Sequence, residues 1–298
     1  MSRVLITGAA SGLGAALADA FEARGDEVLR TDVSGEGGFE AQAPERLRTS
    51  TTEETPGARS SIAGETPGAR SSTAGVFRLD VTSDEDWAAA RAHVEATWGG
   101  LDVLVNNAGV AGGGRLDVAG LDEWEWITRI NLFGAVRGTR TFVPMLKRQR
   151  SGAIVNVASL AGLVHPAGMA SYNAVKAAVV ALTETTGHEL ASYSVTAHVV
   201  CPSYFRTNLM SSMRGRDEAL AGVMSQLVEG SPTSAQQVAS AVLDGLDHGD
   251  EVILPDPAAR QAWALKQQDR KAYDAVMRAQ AAKLDQMATD HVATEEDA

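Results

Sequence analysis

The sequence predicts an α/β protein with one doubly wound, parallel, seven-stranded sheet and helices on both of its faces. Seven short runs rich in β-branched residues recur along the chain, and alanine-rich stretches of helix length separate them. The runs lack the alternation of apolar and polar residues that marks a strand with one face in water. A chain of 298 residues, 44% hydrophobic, is long enough to cover both faces of such a sheet in a single domain.

The predicted strands span residues 4–7, 27–31, 76–79, 103–106, 153–157, 195–200 and 251–254. Parallel neighbours need a long crossover connection, which is usually a helix, so a helix is expected between successive strands. In a sheet of this kind, ligands bind at the carboxyl ends of the strands, where the strand order reverses. Residues that directly follow a strand are therefore the first candidates for a site.

A glycine-rich loop, Thr7-Gly-Ala-Ala-Ser-Gly-Leu-Gly14, follows the first strand and precedes a helix expected to run to about Arg24. Glycines let such a turn tighten and let its backbone approach a diphosphate, while the helix N-terminus offers unpaired N–H groups and positive potential. This context predicts a Rossmann-type dinucleotide site. The loop residues expected to bind the cofactor are Gly8, Ser11, Gly12, Leu13 and Gly14.

The second predicted strand leads into Asp32, eighteen residues after Gly14. A carboxylate there can accept hydrogen bonds from an adenosine ribose and repel a 2′-phosphate, which favours NAD over NADP. Two alternatives stay open. Asp32 could be an ordinary turn residue, and Arg30, on the same face of the strand, could soften the preference by reaching a phosphate.

A proton-transfer site is indicated by Tyr172, Lys176 and Ser159. On a helix, a spacing of four residues places the phenol and the ammonium on one face. A free tyrosine has a pKa of about 10, so it needs a nearby cation to act as a base at neutral pH. Ser159 follows the fifth strand, at the ligand-binding edge of the sheet, although a turn-capping role is its simpler interpretation.

The motifs Thr7-Gly-x-x-x-Gly-x-Gly14, Asn106-Asn-Ala-Gly109 and Tyr172-x-x-x-Lys176 occur in the order and spacing of the short-chain dehydrogenase/reductase family. The chain resembles that family over about residues 1–255. The resemblance implies that Asn106 to Gly109 stabilise the central sheet and border the cofactor. It also implies a catalytic set made of Asn131, Ser159, Tyr172 and Lys176. Within this set, the backbone and side chain of Asn131 would hold a water that links Lys176 to solvent.

Further cofactor contacts are implied by the same resemblance. Besides the glycine loop and Asp32, they are Asp80, Val81, Asn107, Ala108, Gly109, Tyr172, Lys176, Pro202 and Thr207. One position departs from the family, which usually has glycine directly after the proline that corresponds to Pro202. Here that position is Ser203, so the backbone of this loop and the aromatic wall formed by Tyr204 and Phe205 are less closely defined by the resemblance.

The predicted function is an NAD-dependent oxidoreductase that interconverts a secondary alcohol and a ketone, with an apolar to amphipathic substrate. Tyr172 would donate a proton to the carbonyl oxygen, which Ser159 also hydrogen-bonds, while hydride attacks the carbon. In oxidation the phenolate would remove the alcohol proton; its pKa must fall by about three units, or roughly 4 kcal/mol, through Lys176 and the oxidised nicotinamide. An NADPH-dependent carbonyl reductase and a non-catalytic nucleotide-binding scaffold or sensor are the alternatives.

The composition indicates that the binding partner of the protein is a small molecule. The net charge of −12 argues against nucleic acid and against an anionic membrane surface, and no apolar run approaches membrane-spanning length. The six histidines show no paired ligand spacing, so no metal is predicted. The single cysteine, Cys201, and the absence of a leader-like N-terminus favour the cytoplasm. The family resemblance implies a homodimer or homotetramer through helices around 121–149 and 171–192.

Two regions do not follow the alternation of strands and helices. Residues 54–64 and 65–75 are copies of one eleven-residue unit that differ only at Ile62 and Thr73, and we expect residues 35–75 to form a mobile surface insertion. A phosphate-binding or partner-binding loop is the alternative. The predicted domain covers 1–255 with this insertion, followed at 256–298 by a helical extension with an acidic tail. That extension is expected to pack on the body or a neighbouring subunit, with a substrate lid as the alternative.

Overall fold

The computed structural model describes residues 1–35 and 75–296, so the predicted insertion lies almost entirely outside the described residues. All seven predicted strands are present, with bounds that differ by two residues at most. They are β1 Arg3–Thr7, β2 Glu27–Asp32, β3 Phe77–Arg78, β4 Val103–Asn106, β5 Gly152–Val157, β6 Val195–Val200 and β7 Val252–Ile253.

The strands form one parallel sheet in the order β3-β2-β1-β4-β5-β6-β7, which confirms the predicted architecture. The order reverses between β1 and β4, where Val4 is paired with Val28 on one side and with Val103 on the other. The chain leaves these two central strands toward opposite edges of the sheet. A crevice therefore forms at their carboxyl ends, at the position predicted for a ligand.

Ten α-helices lie in the described part of the chain. They are α1 Gly12–Ala23, α2 Asp84–Trp98, α3 Leu121–Ile127, α4 Phe133–Gln149, α5 Ala161–Val164, α6 Ala170–Leu190, α7 Glu218–Glu229, α8 Ala235–His248, α9 Pro257–Gln268 and α10 Arg270–Glu296. None of the described helices combines the length and the apolarity needed to cross a membrane.

Two buried layers hold the helices on the sheet. Because successive side chains of a strand point to opposite faces, Val4 and Ile6 pack into the layer beneath α1 and α8, whereas Leu5 packs into the layer beneath α2 and α4. Helices therefore cover both faces of the central strands. This explains why the strand sequences show no polar alternation. Cys201, which directly follows β6, is buried.

A single π-helical turn, Thr128–Leu132, joins α3 to α4 and contains the buried Asn131. The wider turn displaces the backbone from regular α-helical hydrogen bonding. Such π-turns occur frequently at functional sites.

The C-terminal extension is helical, as predicted, but it breaks at Asp269 into α9 and α10. Tyr273 and Leu284 of α10 are buried against the body of the protein, whereas Val276 and Met287 are exposed. The extension therefore packs onto its own chain through one face. The domain boundary at residue 255 stays a prediction.

Candidate active site

A cavity of about 600 Å³ opens at the carboxyl ends of the central strands. It brings together fourteen of the predicted site residues, which come from loops far apart in the sequence. They are Gly8, Ser11, Gly12, Leu13, Gly14, Asp32, Asn107, Ala108, Gly109, Ser159, Tyr172, Lys176, Pro202 and Thr207. Asn131, Asp80 and Val81 do not line it.

The glycine loop is shaped by close backbone approaches. Gly8 has a positive φ of 68°, and a Cβ there would lie 2.9 Å from the Cα of Ala108. A Cβ on Gly14 would collide with the carbonyl oxygen of Gly8 and with the Asn107 amide. The loop thus leaves a side-chain-free cradle in front of the N-terminus of α1, which fits the diphosphate of a dinucleotide.

Thr7 fixes the loop after β4 against the glycine loop. Its Oγ1 accepts hydrogen bonds from the backbone N–H groups of Asn107 and Ala108, both at 3.0 Å. The Asn107 side chain donates back to the carbonyl oxygen of Thr7 at 2.8 Å. The resemblance gave these asparagines a border role, and the contacts show how the two loops are held in register.

A buried polar chain then connects the sheet with the helix that carries Tyr172. Asn106 Nδ2 donates to Asn156 Oδ1 at 2.8 Å, and Asn156 Nδ2 donates to Thr183 Oγ1 on α6 at 2.9 Å. These side chains lie in an apolar layer, where each unpaired polar atom would be costly. The position of α6 relative to β4 and β5 is therefore specified by hydrogen bonds as well as by packing.

Asp32 lies at the far end of the cradle. Its carboxylate accepts hydrogen bonds from the backbone N–H of Ala10 at 3.2 Å and from the hydroxyl of Ser34 at 2.9 Å. Arg30 does not reach toward the cavity. Its guanidinium forms hydrogen bonds of 2.5–2.9 Å to Glu22 and Asp19 on α1, and these contacts raise its pKa.

Asp80 and Val81 form hydrogen bonds to residues outside the cavity. The carboxylate of Asp80 accepts two hydrogen bonds, each 2.8 Å long, from the backbone and the hydroxyl of Thr82. Val81 is buried, and its carbonyl oxygen accepts the indole N–H of Trp87 at 3.1 Å. Asp80 and Val81 therefore do not line the cavity, and their contact with a cofactor stays a prediction.

Tyr172 and Lys176 lie on the first turns of α6, and both are more than nine-tenths buried. The ammonium of Lys176 donates a hydrogen bond to the carbonyl oxygen of Val157 at 3.0 Å and lies 5.7 Å from the centroid of the Tyr172 ring. Ser159, just past β5, lines the same cavity, and its side chain lowers the pKa of Tyr172. The predicted spacing thus produces one compact group of three side chains.

Burial dominates the titration of this group. It raises the pKa of Tyr172 to about 12, although the hydrogen bond with Ser159 acts in the opposite direction. Burial also lowers the pKa of Lys176 to about 8. The predicted lowering of this pKa by Lys176 together with the oxidised nicotinamide stays a prediction, since burial is the largest influence on the phenol of the protein alone. A lower phenol pKa during the reaction needs further positive charge.

The side chain of Asn131 forms hydrogen bonds with the backbone of the loop after β4. Its Oδ1 accepts the backbone N–H of Val110 at 2.8 Å, and its Nδ2 donates to the Val110 carbonyl oxygen at 2.9 Å. The side chain therefore fixes the segment that follows Gly109, next to the cavity. The predicted hold of Asn131 on a water stays a prediction, since Nδ2 keeps a second N–H and Oδ1 a second lone pair beyond the two bonds to Val110.

The loop after β6 carries the departure at Ser203. Its hydroxyl donates to Asp256 Oδ1 at 2.6 Å and its backbone N–H donates to Asp256 Oδ2 at 2.9 Å. Thr207 lies at the other end of the same loop, where a Cβ on Gly12 would be 2.8 Å from its Oγ1. The loop therefore spans from the glycine cradle to the C-terminal helices.

One wall of the cavity comes from the C-terminal extension, for which the sequence favoured packing on the body and left a substrate lid as the alternative. It is formed by the C-terminal helices through Ala262, Tyr273, Met277 and Gln280. The last three are spaced i, i+4 and i+7, which is one face of a helix, so the signal was present in the sequence. Among the described residues there is no cluster of potential metal ligands.

Comparison with known proteins agrees with this geometry. A family model described as short chain dehydrogenase matches residues 41–218, more than half of the chain. The chain is 33% identical over 247 residues to a 2-(R)-hydroxypropyl-CoM dehydrogenase of Xanthobacter autotrophicus, with 82% of this chain and 90% of that protein covered.

Two solved structures are similar. One is a short chain dehydrogenase/reductase from Burkholderia phymatum in complex with NAD, with 27% identity, a TM-score of 0.73, and 91% and 94% of the two chains covered. The other is a short chain dehydrogenase from Burkholderia cenocepacia in complex with NADP, with 25% identity, a TM-score of 0.66, and 93% and 97% covered. The two proteins hold different nicotinamide cofactors, so the likeness alone does not choose between them.

Proposed function

Since this chain belongs to the short-chain dehydrogenase/reductase family and is a nicotinamide-dependent oxidoreductase, we propose that it uses NAD to interconvert a secondary alcohol and a ketone. The observation that carries the proposal is the group of Ser159, Tyr172 and Lys176 on the wall of the cavity that also contains the glycine cradle and Asp32. Proton transfer and dinucleotide binding are thereby combined in one space.

The bound nicotinamide supplies the hydride donor for reduction and the hydride acceptor for oxidation. In reduction, the Tyr172 hydroxyl gives its proton to the carbonyl oxygen as the new C–H bond forms at the carbonyl carbon. Ser159, whose side chain lowers the pKa of Tyr172, would hydrogen-bond the same substrate oxygen. In oxidation, the phenolate takes the alcohol proton while the C–H bond breaks. Lys176 keeps a positive charge close to this exchange.

The preference for NAD is argued from Asp32 and Arg30. Asp32 presents a carboxylate at the end of the cradle, where it can accept hydrogen bonds from the ribose hydroxyls and repel a 2′-phosphate. Arg30 could have reversed this preference, but its guanidinium is held by Glu22 and Asp19 on α1. An NADPH-dependent carbonyl reductase is therefore the second candidate. A binding-only scaffold has no chemical need for the buried Tyr172 and Lys176.

The remaining proposals concern the surroundings of the enzyme. We infer a homodimer or homotetramer through the helices around 121–149 and 171–192, and the exposed Leu121 and Phe133 on the first of these support it. Cytoplasmic action on a small molecule, with no nucleic acid or membrane partner, agrees with the net charge of −12. The mass of the purified protein by light scattering tests the assembly.

A panel of secondary alcohols and ketones, followed by nicotinamide absorbance with NAD(H) and NADP(H) in parallel, tests the proposed function. The expected result is turnover of at least one secondary alcohol or ketone, with a higher kcat/KM for NAD(H). Turnover only with NADP(H) would contradict the cofactor assignment. Failure of the whole panel with both cofactors, while NADH still binds, would contradict the reaction assignment.

A further inference from the structure

We propose that the substrate of this enzyme is an uncharged, apolar ketone or alcohol, and that α10 forms the wall that selects it. This inference rests on the proposed function and narrows it to a substrate class. Three features of the cavity carry it: the apolar surroundings of Tyr172, the wall supplied by the C-terminal helices, and the small number of charges that face the space.

The surroundings of Tyr172 are apolar. Met169 and Met224 share one buried cluster with Tyr172, and both also line the cavity. Tyr204 lies across the same space, and its hydroxyl contacts the sulfur of Met169 at 3.6 Å. Thioether and aromatic side chains of this kind accommodate hydrocarbon of varied shape. The reacting carbonyl would therefore be attached to hydrocarbon on this side.

The opposite wall comes from Tyr273, Met277 and Gln280 of α10. It is fixed to the segment that follows Ser159, because the hydroxyl of Tyr273 donates to the carbonyl oxygen of Val164 at 2.6 Å. A second attachment on α9 is the ammonium of Lys266, which donates to the carbonyl oxygen of Leu163 at 2.6 Å. The wall is thus held in place by the backbone next to the catalytic group.

Charge is scarce in this space. Among the described residues that line the cavity, only Asp32 has an acidic side chain and only Lys176 has a basic one. Asp32 lies at the cradle, and Lys176 belongs to the catalytic group and donates to Val157. Lys266 is on a helix that lines the cavity, yet its ammonium is engaged by Leu163 and by Nδ1 of His165 at 2.7 Å.

A substrate anion would therefore enter the cavity without a cationic partner. Removing a carboxylate or sulfonate from water costs several kcal/mol when no opposite charge or set of donors replaces the solvent. Gln280 of α10 also lines the cavity, but its amide carries no charge that could offset the charge of an anion.

The test compares 2-octanone with 7-oxooctanoate, which present the same ketone with and without a terminal carboxylate. With saturating NADH, we expect kcat/KM to be at least about 100-fold higher for 2-octanone. Comparable values for the two ketones, or a preference for the keto acid, would overturn the inference while leaving the proposed function intact. Reduction of neither ketone, nor of any other in the panel, would instead contradict the proposed function.

Matched variants test the role of α10. Met277→Arg places a guanidinium on the cavity wall, so we expect the ratio of kcat/KM to move at least about tenfold toward the keto acid. Val276→Arg is the control, because Val276 is the neighbouring residue and 53% exposed. Gln280→Arg repeats the test at a half-buried position if Met277→Arg is unstable. Equal substrate ratios in all of these variants and the wild type would refute the assigned wall.

Discussion

Ser203 and Asp256 join the loop after β6 to the first C-terminal helix through two hydrogen bonds, of 2.6 and 2.9 Å. Asp256 is buried and also caps α9, since its Oδ1 accepts the backbone N–H of Ala259 at 2.8 Å. A glycine at position 203, as is usual in the family, could supply only the backbone donor. The departure at Ser203 therefore connects the cofactor side of the cavity with the helices that form its far wall.

Removal of this hydroxyl should loosen the far wall. Ser203→Gly leaves a buried carboxylate oxygen with one donor fewer, so we expect the free energy of unfolding to fall by about 2 kcal/mol. KM for the ketone should rise more than kcat falls, because the proton-transfer group is not touched. Urea unfolding and steady-state kinetics measure both effects. Ser203→Thr retains the hydroxyl as a control, and wild-type stability in Ser203→Gly would contradict this role.

Cofactor choice should depend on Asp32 and not on Arg30. Asp32→Ala removes the charge that opposes a 2′-phosphate, so the ratio of kcat/KM for NADH to that for NADPH should fall by about 10- to 100-fold. Arg30→Ala should leave this ratio unchanged, because the guanidinium is engaged by Glu22 and Asp19. A selective loss of NADPH activity in Arg30→Ala would show that Arg30 reaches the phosphate after all.

Lys176 should destabilise the fold at neutral pH. Burial lowers its pKa to about 8 from 10.5, so below pH 8 the folded protein holds a buried charge that costs about 3 kcal/mol. Between pH 8 and 10.5 the folded protein has lost this proton and the unfolded chain still binds it, so stability rises with pH. Unfolding of wild type and Lys176→Met at pH 7 and 9.5 measures the effect.

The stability advantage of Lys176→Met over the wild type should shrink by about 2 kcal/mol between those two pH values. Other groups, including Tyr172, contribute almost equally to both proteins and cancel in the difference. A difference that stays constant with pH would mean that Lys176 titrates near its ordinary pKa. The burial argument for this side chain would then be wrong.

Ser159 should set the pH dependence of alcohol oxidation. Its hydrogen bond lowers the pKa of Tyr172 against the effect of burial, so Ser159→Ala should raise that pKa further. Oxidation needs the deprotonated phenol, and the rising limb of kcat against pH should therefore move to higher pH. The rate at neutral pH should fall by about 100-fold or more. Ser159→Thr should recover part of it, and an unshifted profile in Ser159→Ala would count against the contact.

The strands and the cofactor cradle could be read from the sequence because their signals are local. A β-branched run, a glycine loop before a helix and a tyrosine four residues before a lysine each lie within a few positions of the chain. The π-turn at Asn131 could not be predicted, since Thr128-Arg-Ile-Asn-Leu132 is equally compatible with a regular helix. Its turn type follows from contacts made by α3, α4 and α6 together.

Other features depend on contacts between distant residues. The spacing of Tyr273, Met277 and Gln280 marks a helix face, but only the attachment to Val164 shows that this face meets the cavity. Arg30 was placed on the strand face shared with Asp32, yet its long side chain turns to acids on α1. The spacing of Tyr172 and Lys176 predicts that the two side chains are close, but it says nothing of the burial that raises the pKa of Tyr172.

The most direct measurement compares hydride transfer by Tyr172→Phe and wild type in a single turnover, with NADH and a ketone that the wild type reduces. Phenylalanine keeps the ring and its packing but lacks the hydroxyl group whose proton is transferred to the carbonyl oxygen in the proposed reaction. We expect NADH affinity within about threefold of wild type, by cofactor fluorescence, and a hydride-transfer rate at least about 1,000-fold lower. A variant that binds NADH and reduces the ketone within tenfold of the wild-type rate would contradict the assignment of Tyr172 as the proton donor.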